Sequence, residues 1–421
     1  MSVRASQRGI EILDSARKHK RWNRQSHDWY ILAGANLTLL KKLWRKDLIP
    51  LAIFKEFCRL VGVDWREAVD YKNSSEEDLE PIKFWEGMPK VSTFYGRTEN
   101  VKNLTHWIVK DKCRLVVIHG LRGIGKTTLA VELTKEILPQ FDYVVGYSLA
   151  SNPLLKNFLT DIFKFLKCHS DFDFLENIPD INIYHDISEL IRFFKHHRCL
   201  LVLDGLEILF SSGKNAGYYE DRHIDYGNLM RQLGKEQHKS CVIITTFDKP
   251  REIALLEETN KFVQSHKLEG LGEDARGIFQ KRGLRDEHLW KKLSDNYRGN
   301  PLFLKIISSH ISIVFCGSVD AFLRQGTLVT GNLETCLEQI FNHLSDLEKN
   351  ILYILAERNE IVSAEQLIQI LTIVSNDVIL AIESLVMRSL VENTTSSSQS
   401  PDGFTLAPVI KEYVSHRRQN S

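Results

Sequence analysis

Residues 114–128 read Arg-Leu-Val-Val-Ile-His-Gly-Leu-Arg-Gly-Ile-Gly-Lys-Thr-Thr. The first six form a short apolar run bounded by a charge, the pattern of a strand covered on both faces. Gly120 to Thr127 then fits G-x-x-x-x-G-K-[ST], and Thr127–Ile137 carries helical periodicity. A phosphate chain needs close backbone approach, which glycine permits, and a row of N–H donors at a helix start. In this pattern Gly120, Gly123 and Gly125 shape the cradle, Lys126 reaches the β and γ phosphates, and the hydroxyl of Thr127 ligates Mg²⁺. Thr128 follows on the first helical turn. Strand, glycine loop and helix in that order predict an ATP- or ADP-binding P-loop.

Three further apolar runs accompany it, Tyr143–Ser148, Cys199–Leu203 and Cys241–Thr246, with helical patterns such as Leu154–Leu166 between them. This alternation predicts an α/β doubly wound core with a parallel sheet. Cys199-Leu-Leu-Val-Leu-Asp204 ends in an acid, as expected of the carboxylate that binds magnesium directly or through water. Asp204 is therefore a candidate for both metal binding and catalysis. The next residue is Gly205, and the following acid, Glu207, is the candidate hydrolytic base. An acid at a strand end can instead cap a helix.

The chain has 421 residues, enough for two to four domains, and it is 43% apolar and 26% charged. A net charge of +1 excludes a chain-wide basic coat for nucleic acid. Residues 1–70 nevertheless carry 14 Lys and Arg against 8 Asp and Glu, so any basic partner surface belongs at that end. The amino terminus lacks an apolar signal region, and no apolar run approaches the roughly 20 residues that cross a bilayer. The seven cysteines, Cys58, Cys113, Cys168, Cys199, Cys241, Cys316 and Cys336, are odd in number and include no CxxC. They are expected to be small buried hydrophobes in a reducing compartment, which points to the cytoplasm. His196, His197 and Cys199, and His238 with Cys241, lack a second ligand pair at zinc spacing.

The chain divides on composition into a helical module (1–70), a Ser-, Pro- and acid-rich linker (71–93), the P-loop domain (94–268), a helical region (269–337), a winged-helix region (338–415) and a tail (416–421). Within the winged-helix region, Ser345-Asp-Leu-Glu348 and Ser363-Ala-Glu-Gln366 are capping boxes. A third helix is expected near Ser375–Val386, before a polar loop and Phe404-Thr-Leu406.

Taken in order, these motifs resemble the nucleotide-binding switch domain NB-ARC, in the STAND class of signal-transduction P-loop NTPases. Phe94-Tyr-Gly-Arg97 is similar to the family's Gly-Arg element on the adenine side. Ser240–Thr246 resembles its sensor strand, and Gly299-Asn-Pro301-Leu302 resembles its Gly-x-Pro-Leu element, whose proline contacts the nucleotide. The resemblance implies ADP or ATP with Mg²⁺ bound beneath a winged-helix lid, a signalling switch, and regulated self-association. It also implies a repeat sensor after the lid, of which no repeats are seen up to Ser421. Three departures stand out. Phe247 occupies the place of a γ-phosphate-sensing arginine, Leu406-Ala407-Pro408 lacks the lid histidine, and Gly205 replaces a second acid. Together they imply slow or absent hydrolysis.

Residues 1–70 resemble a helix-turn-helix-like module found at the amino terminus of bacterial STAND proteins. Its core is Ile31-Leu-Ala-Gly34-Ala-Asn36-Leu-Thr-Leu39. Three readings stay open: Asn36, Lys41, Lys42, Arg45 and Lys46 on a helix facing DNA, a protein-recruiting adaptor, or a solvated face over a core of Trp22, Trp29, Trp44 and Trp65. At the level of the whole chain, a nucleotide-modulated transcription regulator and a catalytically dead nucleotide-binding scaffold are the alternatives to a switch.

Overall fold

A computed structural model describes residues 2–70, 82–91, 93–170, 183–358, 360–394 and 402–419. The chain forms two compact units, divided in sequence at Pro81 and Ile82.

In the first unit, β1 (Ser2–Val3) pairs with β2 (Ile49–Pro50), and five helices surround a core: α1 (Gln7–His19), α2 (His27–Leu32), α3 (Leu37–Arg45), α4 (Leu51–Leu60) and α5 (Trp65–Ala68). The expected all-helical module thus carries one small antiparallel pair. Trp29 is fully buried, and its indole N–H donates to the carbonyl of Phe57 at 3.0 Å. Trp22, Trp44 and Trp65 pack around the same core. Gly9 lets α1 lie against α5, since a Cβ there would come within 2.0 Å of the Ala68 carbonyl oxygen.

The second unit is built on a six-stranded sheet. In chain order its first elements are β3 (Ile82–Glu86), α6 (Thr98–Val109), β4 (Leu115–His119), α7 (Lys126–Ile137), β5 (Tyr143–Ser148), α8 (Leu155–His169), α9 (Ile183–His196) and β6 (Cys199–Asp204). They continue with α10 (Ile224–Lys235), β7 (Cys241–Thr246), α11 (Arg251–Thr259) and β8 (Val263–Lys267). The strand order is β3-β5-β6-β7-β4-β8 and every pairing is parallel. Helices α8 to α11 share one apolar core with alternate strand residues such as Leu115, Val117, Val242 and Ile244. Helix α7 packs on β4 and β7. The residues between those, Val116, Ile118 and Ile243, are also fully buried, which is why the strands read as unbroken apolar runs.

The sheet starts inside the stretch expected to be a linker. Ile82–Glu86 is an edge strand paired with β5, exposed except for the partly buried Phe84 and mixed in polarity, so it lacks the apolar run that marks the central strands. Residues 71–81 lie outside the described residues. Edge strand β8 escaped notice for the same reason.

Eight helices follow: α12 (Arg276–Lys281), α13 (Trp290–Asn296), α14 (Pro301–Val314), α15 (Val319–Gln325), α16 (Gly331–Asn342), α17 (Asp346–Glu357), α18 (Ala364–Leu371) and α19 (Ser375–Met387). The hairpin β9 (Val391–Thr394) and β10 (Gly403–Leu406) and then α20 (Pro408–Gln419) complete the fold. Both capping boxes form, with Ser345 and Ser363 each accepting from the third helical residue. Phe404 exchanges backbone hydrogen bonds with Val362, adding a bridge to the hairpin. The expected boundary at 337 falls within α16, and the expected tail at 416 begins inside α20, both because helical periodicity continues across those points. No single described helix is long and apolar enough to cross a membrane; α14 with α15, bent by 99°, passes only as a pair. Four cysteines are buried, but Cys168 and Cys316 are exposed, contrary to expectation. Cys168 lies in the last turn of α8, and Cys316 lies just past the C-cap of α14.

Candidate nucleotide site

The P-loop lies at the carboxyl end of β4, where open α/β sheets place their ligands. Gly123 and Gly125 both have positive φ, +80° and +103°. A Cβ on Gly123 would come within 2.5 Å of Leu302, whereas one on Gly125 would meet nothing within 4 Å, so its side of the loop is an open cradle. Lys126 opens α7 and is 7% exposed. Its Nζ donates to the carbonyls of Gly120 at 2.9 Å and Leu121 at 3.3 Å. Burial pulls its pKa down, opposed by the nearby carboxylates of Glu207, Asp204 and Asp248. A buried ammonium facing three carboxylates and the N-terminus of α7 fits an anionic phosphate chain.

Strand β7 is inserted between β4 and β6, which brings three site residues together. Thr127 Oγ1 donates to Asp204 Oδ1 at 2.6 Å, and Thr245 Oγ1, from β7, donates to the same oxygen at 2.6 Å. Thr245 Oγ1 also accepts from the Gly205 N–H at 3.0 Å. The pairing of Thr127 with Asp204 matches a hard-cation site of hydroxyl and carboxylate oxygens. Gly205 sits at φ +80°, so the place of a second acid is a left-handed backbone position. Glu207 follows in a short 3₁₀ turn, and its Oε2 accepts from the Phe247 N–H at 3.1 Å.

The residues expected on the nucleotide side come from distant segments. Arg97, at positive φ before α6, donates from Nη2 to the Ile124 carbonyl at 3.2 Å and from Nη1 to Gly270 at 3.4 Å. Pro301 is the first residue of α14, and Asn300 caps that helix. Asn300 is fully buried and donates from Nδ2 to the Arg122 carbonyl at 2.9 Å, tying the helical region to the P-loop. Thr128 is half-buried on the first turn of α7. Phe247 packs in the apolar core it shares with Leu406 and Ala407.

Sequence reasoning missed Asn300, Thr245 and Asp248. Asn before Pro-Leu is itself a cap signal and could have marked Asn300.

In the first unit, the five basic-end candidates divide. Lys41, Lys42 and Arg45 are exposed on α3. Asn36 instead caps that helix, its Oδ1 accepting from the Leu39 N–H at 3.0 Å. Lys46 is the left-handed C-cap, and its Nζ donates to Gln7 at 2.9 Å. Asn36 and Lys46 are thus the two ends of the helix, both exposed like the three basic residues between them.

Residues 97–207 match the NB-ARC domain family. The chain is 30% identical, over 99% of its length, to an uncharacterized WD repeat-containing protein of Nostoc sp., and spans 36% of that relative. A STAND protein with a tetratricopeptide repeat sensor from Pyrococcus horikoshii is 21% identical at a TM-score of 0.40, over 80% of this chain and 44% of that one. A Walker-type ATPase of Pyrococcus abyssi is 14% identical at a TM-score of 0.49, over 76% of this chain and 96% of that one. The P-loop and the β6 carboxylate both fall inside the matched segment, so residues 97–207 form an NB-ARC domain with a P-loop NTPase core.

Proposed function

We propose that the chain is a nucleotide-dependent switch that binds ADP or ATP with Mg²⁺ and turns it over slowly or not at all. The single observation carrying this reading is the convergence of Thr127, Thr245 and Lys126 on the acids of β6 and the turn after it. When bound, Mg²⁺ would supply a charge-neutralising bridge to the phosphates, held by Thr127 and Asp204. Lys126 would exchange its two carbonyl partners for phosphate oxygens. Arg97 and Pro301 would line the base and ribose side, with Gly120, Gly123, Gly125 and Thr128 around the phosphates.

Slow turnover follows from the residues that would activate water or sense the γ-phosphate. Glu207 is engaged with the Phe247 N–H. Phe247 offers no cation to a phosphate. The C-terminal helices and hairpin would act as the lid, and the amino-terminal unit would pass the signal to a protein partner or to a second copy through α3. The Nostoc relative is WD repeat-containing, and a repeat region of that sort suits the role of sensor. The proposed place of action is the cytoplasm.

Isothermal titration of ADP into the wild type and Lys126→Ala tests the site. Binding should be lost in the variant, and unchanged affinity would refute the assignment.

A further inference from the structure

Arg388, the C-cap of α19, is only 2% exposed. Its guanidinium lies between two buried carboxylates from separate elements. Nη2 is 3.4 Å from Asp248 Oδ2, and Nε is 3.2 Å from Glu348 Oε1. Nη2 also donates to the carbonyl of Lys214 at 2.9 Å. Asp248 is two residues past β7, Glu348 is the third residue of α17, and Lys214 lies in the segment between β6 and α10. One side chain therefore joins the sensor strand, the segment after the metal-binding strand, and the C-terminal helices.

Neighbouring contacts repeat the same connection. Ser384, one turn earlier on α19, donates to Glu348 Oε1 at 2.6 Å and accepts from the Ala216 N–H at 2.6 Å. The Gly213 N–H donates to the His343 carbonyl at 3.0 Å. Ser212 Oγ and His343 Nδ1 are 2.7 Å apart.

Burying charge is costly unless it is paired, and removing one partner strands the others. Such pairs contribute little net stability but fix one arrangement over its alternatives. Here a single guanidinium serves two carboxylates, so it is the member whose loss leaves most charge unpaired. At the two positions where the resemblance puts a charged contact to phosphate, this chain has Phe247 and Ala407, buried in one apolar core. The charged contact between the C-terminal helices and the end of the sensor strand is Arg388 with Asp248.

We infer that Arg388 is a protein-only latch, holding α17–α20 closed on the end of β7 and on the 212–216 segment whether or not nucleotide is bound. The inference rests on the switch reading, since it names what keeps that switch's lid shut. Opening then requires something that competes for Arg388 or removes the carboxylate charge, and nucleotide loss alone does not suffice.

Backbone amide exchange at Ala216 reports this docking directly, because that amide bonds to Ser384 of α19, and Gly213, bonded to His343 just before α17, reports its edge. The full chain is measured with and without saturating ADP. Wild-type exchange should agree between the two states within about twofold, while Arg388→Ala should exchange about tenfold faster in both, with β4 amides unchanged. If the alanine variant does not fold, Arg388→Lys keeps the charge but loses the fork, and exchange should rise about threefold. Wild-type protection in the folded variant, or loss of wild-type protection on removing ADP, overturns the latch. ADP titration of the same wild-type sample separates the two ideas. Absent binding sinks the switch reading while leaving the comparison of wild type with variant decisive for the latch.

Discussion

Thr245 Oγ1 donates to Asp204 Oδ1 at 2.6 Å, from a strand that separates the carboxylate's own strand from the P-loop strand. The bond ties the carboxylate to β7 through the same oxygen that accepts from Thr127. Thr245→Val keeps the shape and removes the donor. Hydrogen bonds to charged groups are worth about 1.5–3 kcal/mol, so nucleotide affinity in the presence of Mg²⁺ should fall by roughly 10- to 150-fold. With a chelator present the two proteins should bind alike. Titration calorimetry under both conditions checks this, and an equal loss with the metal removed counts against a positioning role.

A second expectation concerns the gap beside Asp204. Gly205 has φ +80°, and a Cβ there would meet no atom within 4 Å. Gly205→Asp therefore costs only backbone strain, about 1–2 kcal/mol, and should lower thermal stability accordingly. Scanning calorimetry of the variant against wild type checks the size.

The amino-terminal unit separates core from surface sharply. Trp29→Ala removes a fully buried indole and strands the Phe57 carbonyl, so it should cost about 3–5 kcal/mol in chemical denaturation. Lys41→Ala and Lys42→Ala lie on the exposed face of α3 and should stay within about 0.5 kcal/mol of wild type. Those two lysines are then clean probes of partner binding, free of folding effects.

The pH dependence has two opposing parts. Burial pushes the Asp248 carboxyl up to about 6, with Glu207 and Glu348 adding to the rise and Arg388 opposing it; Lys126 also faces this acid. A raised carboxyl binds its proton more tightly in the folded state. Its contribution is complete below the ordinary value of 3.8 and is lost as pH climbs through about 6. His119, buried and facing Lys249, Lys267, His266 and Lys126, is pushed down to about 4, so its contribution is present above its ordinary 6.5 and lost as pH falls. The wild type minus Asp248→Asn difference in unfolding free energy should therefore decline between pH 4 and 6, measured by urea titration at each pH. A flat difference would mean that Asp248 ionises normally.

The phosphate loop was legible because its chemistry is local: glycines, lysine and threonine adjoin in sequence, and a buried strand precedes them. The four central strands were legible as apolar runs, to within a residue or two at their ends. The edges were not, since Ile82–Glu86 and Val263–Lys267 mix polar and apolar residues, the first largely exposed and the second half-buried. The basic end shows a different limit of the sequence pattern. Asn36 and Lys46 lie beside the helix pattern, but their backbones are a cap and a left-handed turn, which charge alone does not reveal. Arg388 and Asp248 are 140 residues apart, and nothing in either neighbourhood names the other.

Strand β7 carries Thr245 near its end and leads to Asp248 three residues later. At about 3.3 Å per residue, the metal carboxylate's partner and the latch's acceptor lie at most roughly 10 Å apart along one continuous backbone. The carboxyl end of β7 thus carries both readers, and any insertion or deletion between them would disconnect chemistry from closure without harming either.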